Sequence, residues 1–188
     1  ASKIVNQLLC KMNGEPWRIK DLPFSDVPTM IVGIHDFFIK NAVTLSLVST
    51  YSKYYSKVFS LSKTIENFSE ETSCKCVLEM LLSSLSNFHL SQQVLPMNII
   101  IYRENTLPFS SINNVDDLFL LEKDVLNLLF SDQNDEINLK SSSINNEFIN
   151  SLIENLGKDF ENAFKNIKKM KVKWSYILVN RNPNNGVI

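Results

Sequence analysis

Gln7 and Lys11 stand four residues apart in a stretch whose apolar residues, Ile4, Val5, Leu8, Leu9 and Met12, recur at helical spacing. Residues at that separation share one face of a helix. Lysine brings a mobile point charge with three donors and glutamine a neutral donor. Such a pair either holds an anion or solvates the polar side of an amphipathic helix. A second basic feature is the run Lys165, Lys168, Lys169, Lys171 and Lys173. It reads equally as a contact surface for a polyanion or as an exposed helix end, where lysines meet the negative end of the helix dipole. Cys10, Cys74 and Cys76 form an odd, sparse set with neither a disulfide framework nor zinc-finger spacing. They fit a reducing compartment, cytoplasmic or nuclear.

The elements that must position these residues follow from periodicity. Residues 2–12 read as a helix, stopped by Asn13-Gly14 and Pro16. The β-branched run at 29–35 suits a strand buried on both faces. Residues 42–50 and 54–62 alternate and read as two further strands, with Tyr51-Ser52-Lys53 as their turn. Residues 71–88 place Cys74, Val77, Leu78, Leu81, Leu82 and Leu85 on one helical face. Pro96 precedes a buried-strand signal at 98–104, and 115–130 reads as a helix carrying Leu118, Leu121, Val125 and Leu129 on one side. The Asn/Asp/Ser-rich stretch 131–146 reads as a mobile loop or insertion. A long helix over 147–170 and a strand over 172–180 close the chain. Early hairpin-linked strands followed by strands alternating with helices imply an α/β fold, a mixed β-sheet flanked by helices.

Composition bounds the rest. The 188 residues are 44% hydrophobic with 12 Phe and only 4 Gly, enough for the core of one domain. Charged residues make up 21%, which argues against bulk disorder. No apolar run approaches the ~20 residues of a membrane span, so no membrane partner is expected. The formal net charge is −1, without the basic excess usual in nucleic-acid binders, but 116–136 is acid-rich and the lysine run is not.

Four segments, in order, resemble the PIWI domain of the Argonaute/Piwi family. KIVNQLLCKMNGEPW, Lys3–Trp17, is similar to the start of that domain in the Piwi clade: a glutamine, a lysine four residues on, two small turn residues and a tryptophan. Here these are Gln7, Lys11, Asn13-Gly14 and Trp17, with Asn13 in place of the family's first glycine. MIVGI, Met30–Ile34, resembles the first strand of the family's sheet. Leu95 through IIIYRE, Ile99–Glu104, resembles its "P…I-V-Y-R-D" strand, and KWSYILVNR, Lys173–Arg181, its late strand. The resemblance spans nearly the whole chain. It implies an RNase H-like fold and a single PIWI domain over 1–188 that is incomplete at its C-terminal end.

It also implies roles. Residues at the positions of Gln7 and Lys11 help hold the 5′-phosphate of a guide RNA, with further ligands from a preceding MID domain. Arg103, Lys169 and Arg181 become candidates for contacts to the nucleic-acid backbone. Slicing members cut with two divalent ions about 4 Å apart, held by carboxylates; Mg²⁺, which prefers oxygen ligands, is the cofactor of that chemistry. The family places one Asp directly after the G-I of the first strand and a second after Y-R of the later strand. Here His35 follows Gly33-Ile34 and Asp36 comes one residue later, a step that turns a side chain to the opposite face unless a bulge intervenes. Glu104 follows Tyr102-Arg103, one methylene longer than Asp. Glu71 falls nearest the family's mobile glutamate, with Glu66 and Glu70 as rivals. The catalytic set is thus Asp36, Glu104 and Glu71, the metal-binding set His35, Asp36 and Glu104, and the last ligand is expected beyond Ile188.

Since imidazole is a poor Mg²⁺ ligand, the implied function is guide-RNA binding and target-RNA pairing in gene silencing, with impaired cutting. The implied partners are guide RNA, target RNA, the MID and other Argonaute domains, and silencing-factor proteins. Two alternatives stay open: an active metal-dependent slicer using Asp36 and Glu104, and a protein-interaction scaffold independent of RNA.

Overall fold

The structure is a computed structural model that describes residues 2–12, 14–15, 22, 26–39, 42–105, 115–130, 146–167 and 172–180. Its elements are α1 (Ser2–Lys11), β1 (Thr29–Ile39), β2 (Ala42–Thr50), β3 (Val58–Ile65), α2 (Glu70–Gln92), β4 (Asn98–Asn105), α3 (Val115–Phe130), α4 (Asn146–Asn155), α5 (Lys158–Ile167) and β5 (Lys173–Asn180).

The strands form one sheet in the order β3-β2-β1-β4-β5. β1 pairs antiparallel with β2, and β2 with β3, as sequential hairpins do. β4 pairs parallel with β1, and β5 with β4, so each needs a helical crossover. The mixed α/β sheet expected from the order of elements is therefore present.

Alternation decides which face is core. Met30, Val32 and Ile34 of β1, Leu45 and Leu47 of β2, and Ile99 and Ile101 of β4 are buried and pack with Leu78, Leu81, Leu82 and Leu85 of α2. Leu118, Val125, Leu126 and Leu129 of α3 join the same cluster, as do Ile149, Ile153, Phe160 and Phe164 of α4 and α5. Among the described residues the opposite face is only partly covered: Phe37, Val48, Tyr102, Ile177 and Val179 on it are exposed. The strands over 29–35 and 98–104 were expected to be buried on both faces; here each is buried on one.

Local chemistry explains the element ends. Ser69 caps α2: its hydroxyl accepts from the Thr72 amide while the Thr72 hydroxyl accepts from the Ser69 amide. The α2 terminus closes on Gln93 in the left-handed region, φ 58. β3 begins at Val58, later than the expected 54, because the β2–β3 connection is wider than a three-residue turn. The Ser52 hydroxyl accepts from the amides of Ser56 and Lys57, and Tyr55 takes φ 55. The single helix expected over 147–170 is two helices. Gly157 at φ +99 breaks it, with its amide donating to the Glu154 carbonyl. The expected loop at 131–146 lies outside the described residues apart from Asn146, which starts α4. No described helix is long and apolar enough to cross a membrane.

Candidate functional site

β1 and β4 run side by side in parallel, with Gly33 opposite Tyr102 and Ile34 opposite Arg103. One step further along, His35 and Glu104 lie adjacent on the partly covered face. His35 Nδ1 is 2.8 Å from Glu104 Oε2, and both side chains keep solvent access, at 40% and 31%. Nδ1 makes no well-aligned hydrogen bond in this arrangement, so the two groups touch by proximity alone. β1 stays in continuous register with β2 here, His35 opposite Ser46 and Asp36 opposite Leu45, so no bulge intervenes.

Asp36 consequently turns to the core face. It is 1% exposed and forms a buried ion pair with Arg103. Arg103 is itself fully buried. Its Nη1 also donates to the Glu104 carbonyl at 2.9 Å, and its Nε donates to Glu122 Oε2 of α3 at 3.2 Å. The Tyr176 hydroxyl of β5 donates to the same Glu122 carboxylate, and the Phe119 ring lies 5.5 Å from the guanidinium carbon. Burial pushes the Asp36 carboxyl above its ordinary value, with Arg103 pulling the other way. Burial would lower Arg103, but Glu122 and Asp36 outweigh it and hold the guanidinium above its ordinary value. Burial and the neighbouring Glu122 raise Tyr176, keeping its proton on.

Two expected roles are corrected by this geometry. Asp36 does not stand with Glu104 as a carboxylate pair, because the one-residue step puts it on the other side of the sheet. Arg103, expected at a nucleic-acid backbone, instead takes an inward strand position without solvent access. Glu71 sits in the first turn of α2, the helix that packs on the core face, and pairs with Lys75 one turn on at 2.7 Å. Glu66 and Glu70 do not join the strand-end pair by any ion pair or hydrogen bond among the described residues. Gln7 and Lys11 lie four apart on α1, both exposed, and likewise make no such contact to His35 or Glu104. Lys169, Arg181 and Trp17 lie outside the described residues, whereas Trp174 is partly buried against the core.

A two-magnesium centre needs several carboxylate oxygens converging on the ions. Among the described residues no group of three or more His, Cys, Asp or Glu converges to hold a metal ion. One imidazole already in contact with one carboxylate is not the oxygen-rich set that Mg²⁺ prefers. The pair is suited instead to an internal charge interaction, or to hydrogen bonding of a polar ligand at the strand ends.

The mixed sheet flanked by helices has a counterpart among known structures. Over 94% of this chain and 42% of the other, the fold matches the MID-PIWI domains of the N. crassa QDE-2 AGO protein, with a TM-score of 0.52 and 12% identity. The fold is PIWI-like. Drosophila Piwi is similar over 64% of this chain and 16% of that one, at TM-score 0.46 and 21% identity. Kluyveromyces polysporus Argonaute, solved with a guide RNA, is similar over 56% and 13%, at TM-score 0.45 and 16% identity. The chain spans less than half the length of each of these structures. No family model and no curated protein matches the sequence. Within the PIWI-like fold, the sequence segments around Gly33 and Tyr102 are indeed neighbouring strands.

The buried cluster behind the pair escaped the sequence reading. Two signals would have found it. Ile99, Ile101 and Arg103 alternate inward on β4, and Glu122 falls on the stripe of Leu118, Val125 and Leu129 in α3.

Proposed function

We propose that this chain is a guide-RNA-holding, PIWI-type module of an Argonaute-like protein, of the Piwi clade, acting in RNA silencing without efficient cutting. One observation carries the second half of that reading. Where adjacent strand ends would need two carboxylates for a cutting centre, the His35 imidazole stands 2.8 Å from the Glu104 carboxylate. An imidazole beside Glu104 takes the place that a divalent cation would occupy, and it neither activates water nor stabilises a leaving oxygen as a metal does.

The first half rests on the PIWI-like fold and on the exposed pair Gln7 and Lys11. In this reading they grip the guide 5′-phosphate together with residues of a MID domain. Lys169 and Arg181 contact the nucleic-acid backbone, target RNA pairs to the guide, and silencing-factor proteins are recruited, in the cytoplasm or nucleus. The experiment is a binding comparison of 5′-phosphorylated and 5′-hydroxyl RNA, on protein that includes the MID domain, with Lys11→Glu alongside. Phosphate-dependent affinity that Lys11→Glu abolishes supports the reading; equal affinity for both RNAs refutes it. Robust Mg²⁺- or Mn²⁺-dependent cutting of a guide-matched target, abolished by Glu104→Ala, would instead make the chain a slicer.

A further inference from the structure

Arg103 is the point at which four elements meet. Its guanidinium touches Asp36 on β1 and Glu122 on α3, and Glu122 in turn accepts from Tyr176 on β5. The cluster lies directly behind the His35–Glu104 pair and is bonded to both halves of it. Asp36 is the next residue after His35, and the Glu104 carbonyl accepts from Arg103 Nη1 at 2.9 Å. The position of this one guanidinium is therefore tied to the chain at both members of the pair.

Stability alone is a weak reason for such a cluster. Buried ion groups are often replaceable by apolar residues of similar volume without loss, because desolvation offsets their attraction. What they supply is directionality: three charged groups and a hydroxyl with fixed partners define one arrangement, where an apolar cluster tolerates several. We infer that Arg103 is the positioning residue for the His35–Glu104 pair, and that Glu122 and Tyr176 make α3 and β5 part of that positioning. The inference rests on the pair being the functional centre. It adds a route by which displacement of α3 on the core face alters geometry on the opposite face, through groups that touch no ligand.

The chain has only two histidines, His35 and His89, which makes a direct test practicable. His89 lies near the end of α2 and serves as the internal reference. Ring resonances of both are recorded by NMR in the full chain, in Tyr176→Phe and in Glu122→Gln, below the melting temperature of each. The expected result is displaced His35 resonances in both variants with His89 unmoved. Unmoved His35 resonances in a folded Tyr176→Phe chain overturn the inference. So does equal displacement of both histidines, which would report general loosening of the core. Should Glu122→Gln not fold, Tyr176→Phe, which removes one hydroxyl, decides alone. RNA plays no part in the readout, so failure of RNA binding with His35 still coupled refutes the proposed function and leaves this inference standing.

Discussion

Gly33 on β1 and Tyr102 on β4 are partners across parallel strands, and that register sets everything at the strand ends. Two residues on, His35 and Glu104 fall side by side on one face. On the other face Asp36 and Arg103 form their buried pair. A one-residue slip of β4 would exchange the two faces, placing Arg103 beside His35 and Glu104 in the core. The buried cation with its two carboxylates opposes that slip, because no other register leaves all three paired.

The cluster predicts an asymmetric mutational response. Arg103→Met removes the cation that Asp36 and Glu122, both within 2% of full burial, share. The expected loss is about 3–5 kcal/mol, the range for breaking a buried ion group from one side. Combining Arg103→Met with Asp36→Leu and Glu122→Leu should recover most of it, since the charges then leave together. Urea unfolding midpoints at constant slope measure both. A triple variant no more stable than the single one would contradict this account.

Much of the fold was legible because burial imposes a period. β2 and α3 fall on the residues that alternation and helical spacing select, and β1 and β4 are recognisable from their β-branched runs. Register was not legible, since it depends on a partner strand sixty residues or more away. The role of Asp36 turned on this point: without a bulge its side chain had to face the core, and sequence alone could not exclude the bulge. The break at Gly157 and the widened turn at Ser52 were missed for a related reason. A single backbone or hydroxyl interaction ends an element without disturbing the apolar pattern around it.

Gly157 offers a clean backbone test. Its φ of +99 lies where an L side chain is strained, while nothing stands within 4 Å of an added Cβ. Gly157→Ala should therefore cost about 1–2 kcal/mol through conformation alone. At about 2–4 °C per kcal/mol for a chain of this size, the melting temperature should fall measurably. An unchanged or raised melting temperature would mean that α4 and α5 join as one helix, as the sequence pattern first suggests.

The cysteines should separate by reactivity. Cys10 is exposed on α1, whereas Cys74 and Cys76 are buried. Burial, which outweighs the nearby Lys63, pushes the Cys76 thiol up to about 11, and burial drives Cys74 higher still. At pH 8 roughly one Cys76 in a thousand is a thiolate, and the thiolate is the nucleophile. Titration with a thiol reagent at pH 8 should give one fast equivalent in the native chain and three in denaturant. Three fast equivalents under native conditions would show that α2 does not shield the core face.

The strand-end pair can be tested by restoring what it lacks. His35→Asp places a second carboxylate on the partly covered face, in register with Glu104 across parallel strands. Two carboxylates so close repel, so the variant should be less stable than the parent in metal-free buffer. A divalent ion that binds only the folded chain reverses the loss, by about 2.7 kcal/mol at a hundredfold excess over its dissociation constant. Thermal melts with and without Mn²⁺ should therefore differ for His35→Asp and coincide for the parent chain, in which the imidazole occupies the ion's place. Pairing the substitution with Asp36→Asn separates the two faces: the buried residue should lower stability without changing the metal response. If Mn²⁺ stabilises the parent as much as His35→Asp, the imidazole does not displace a metal, and the proposed loss of cutting loses its physical basis.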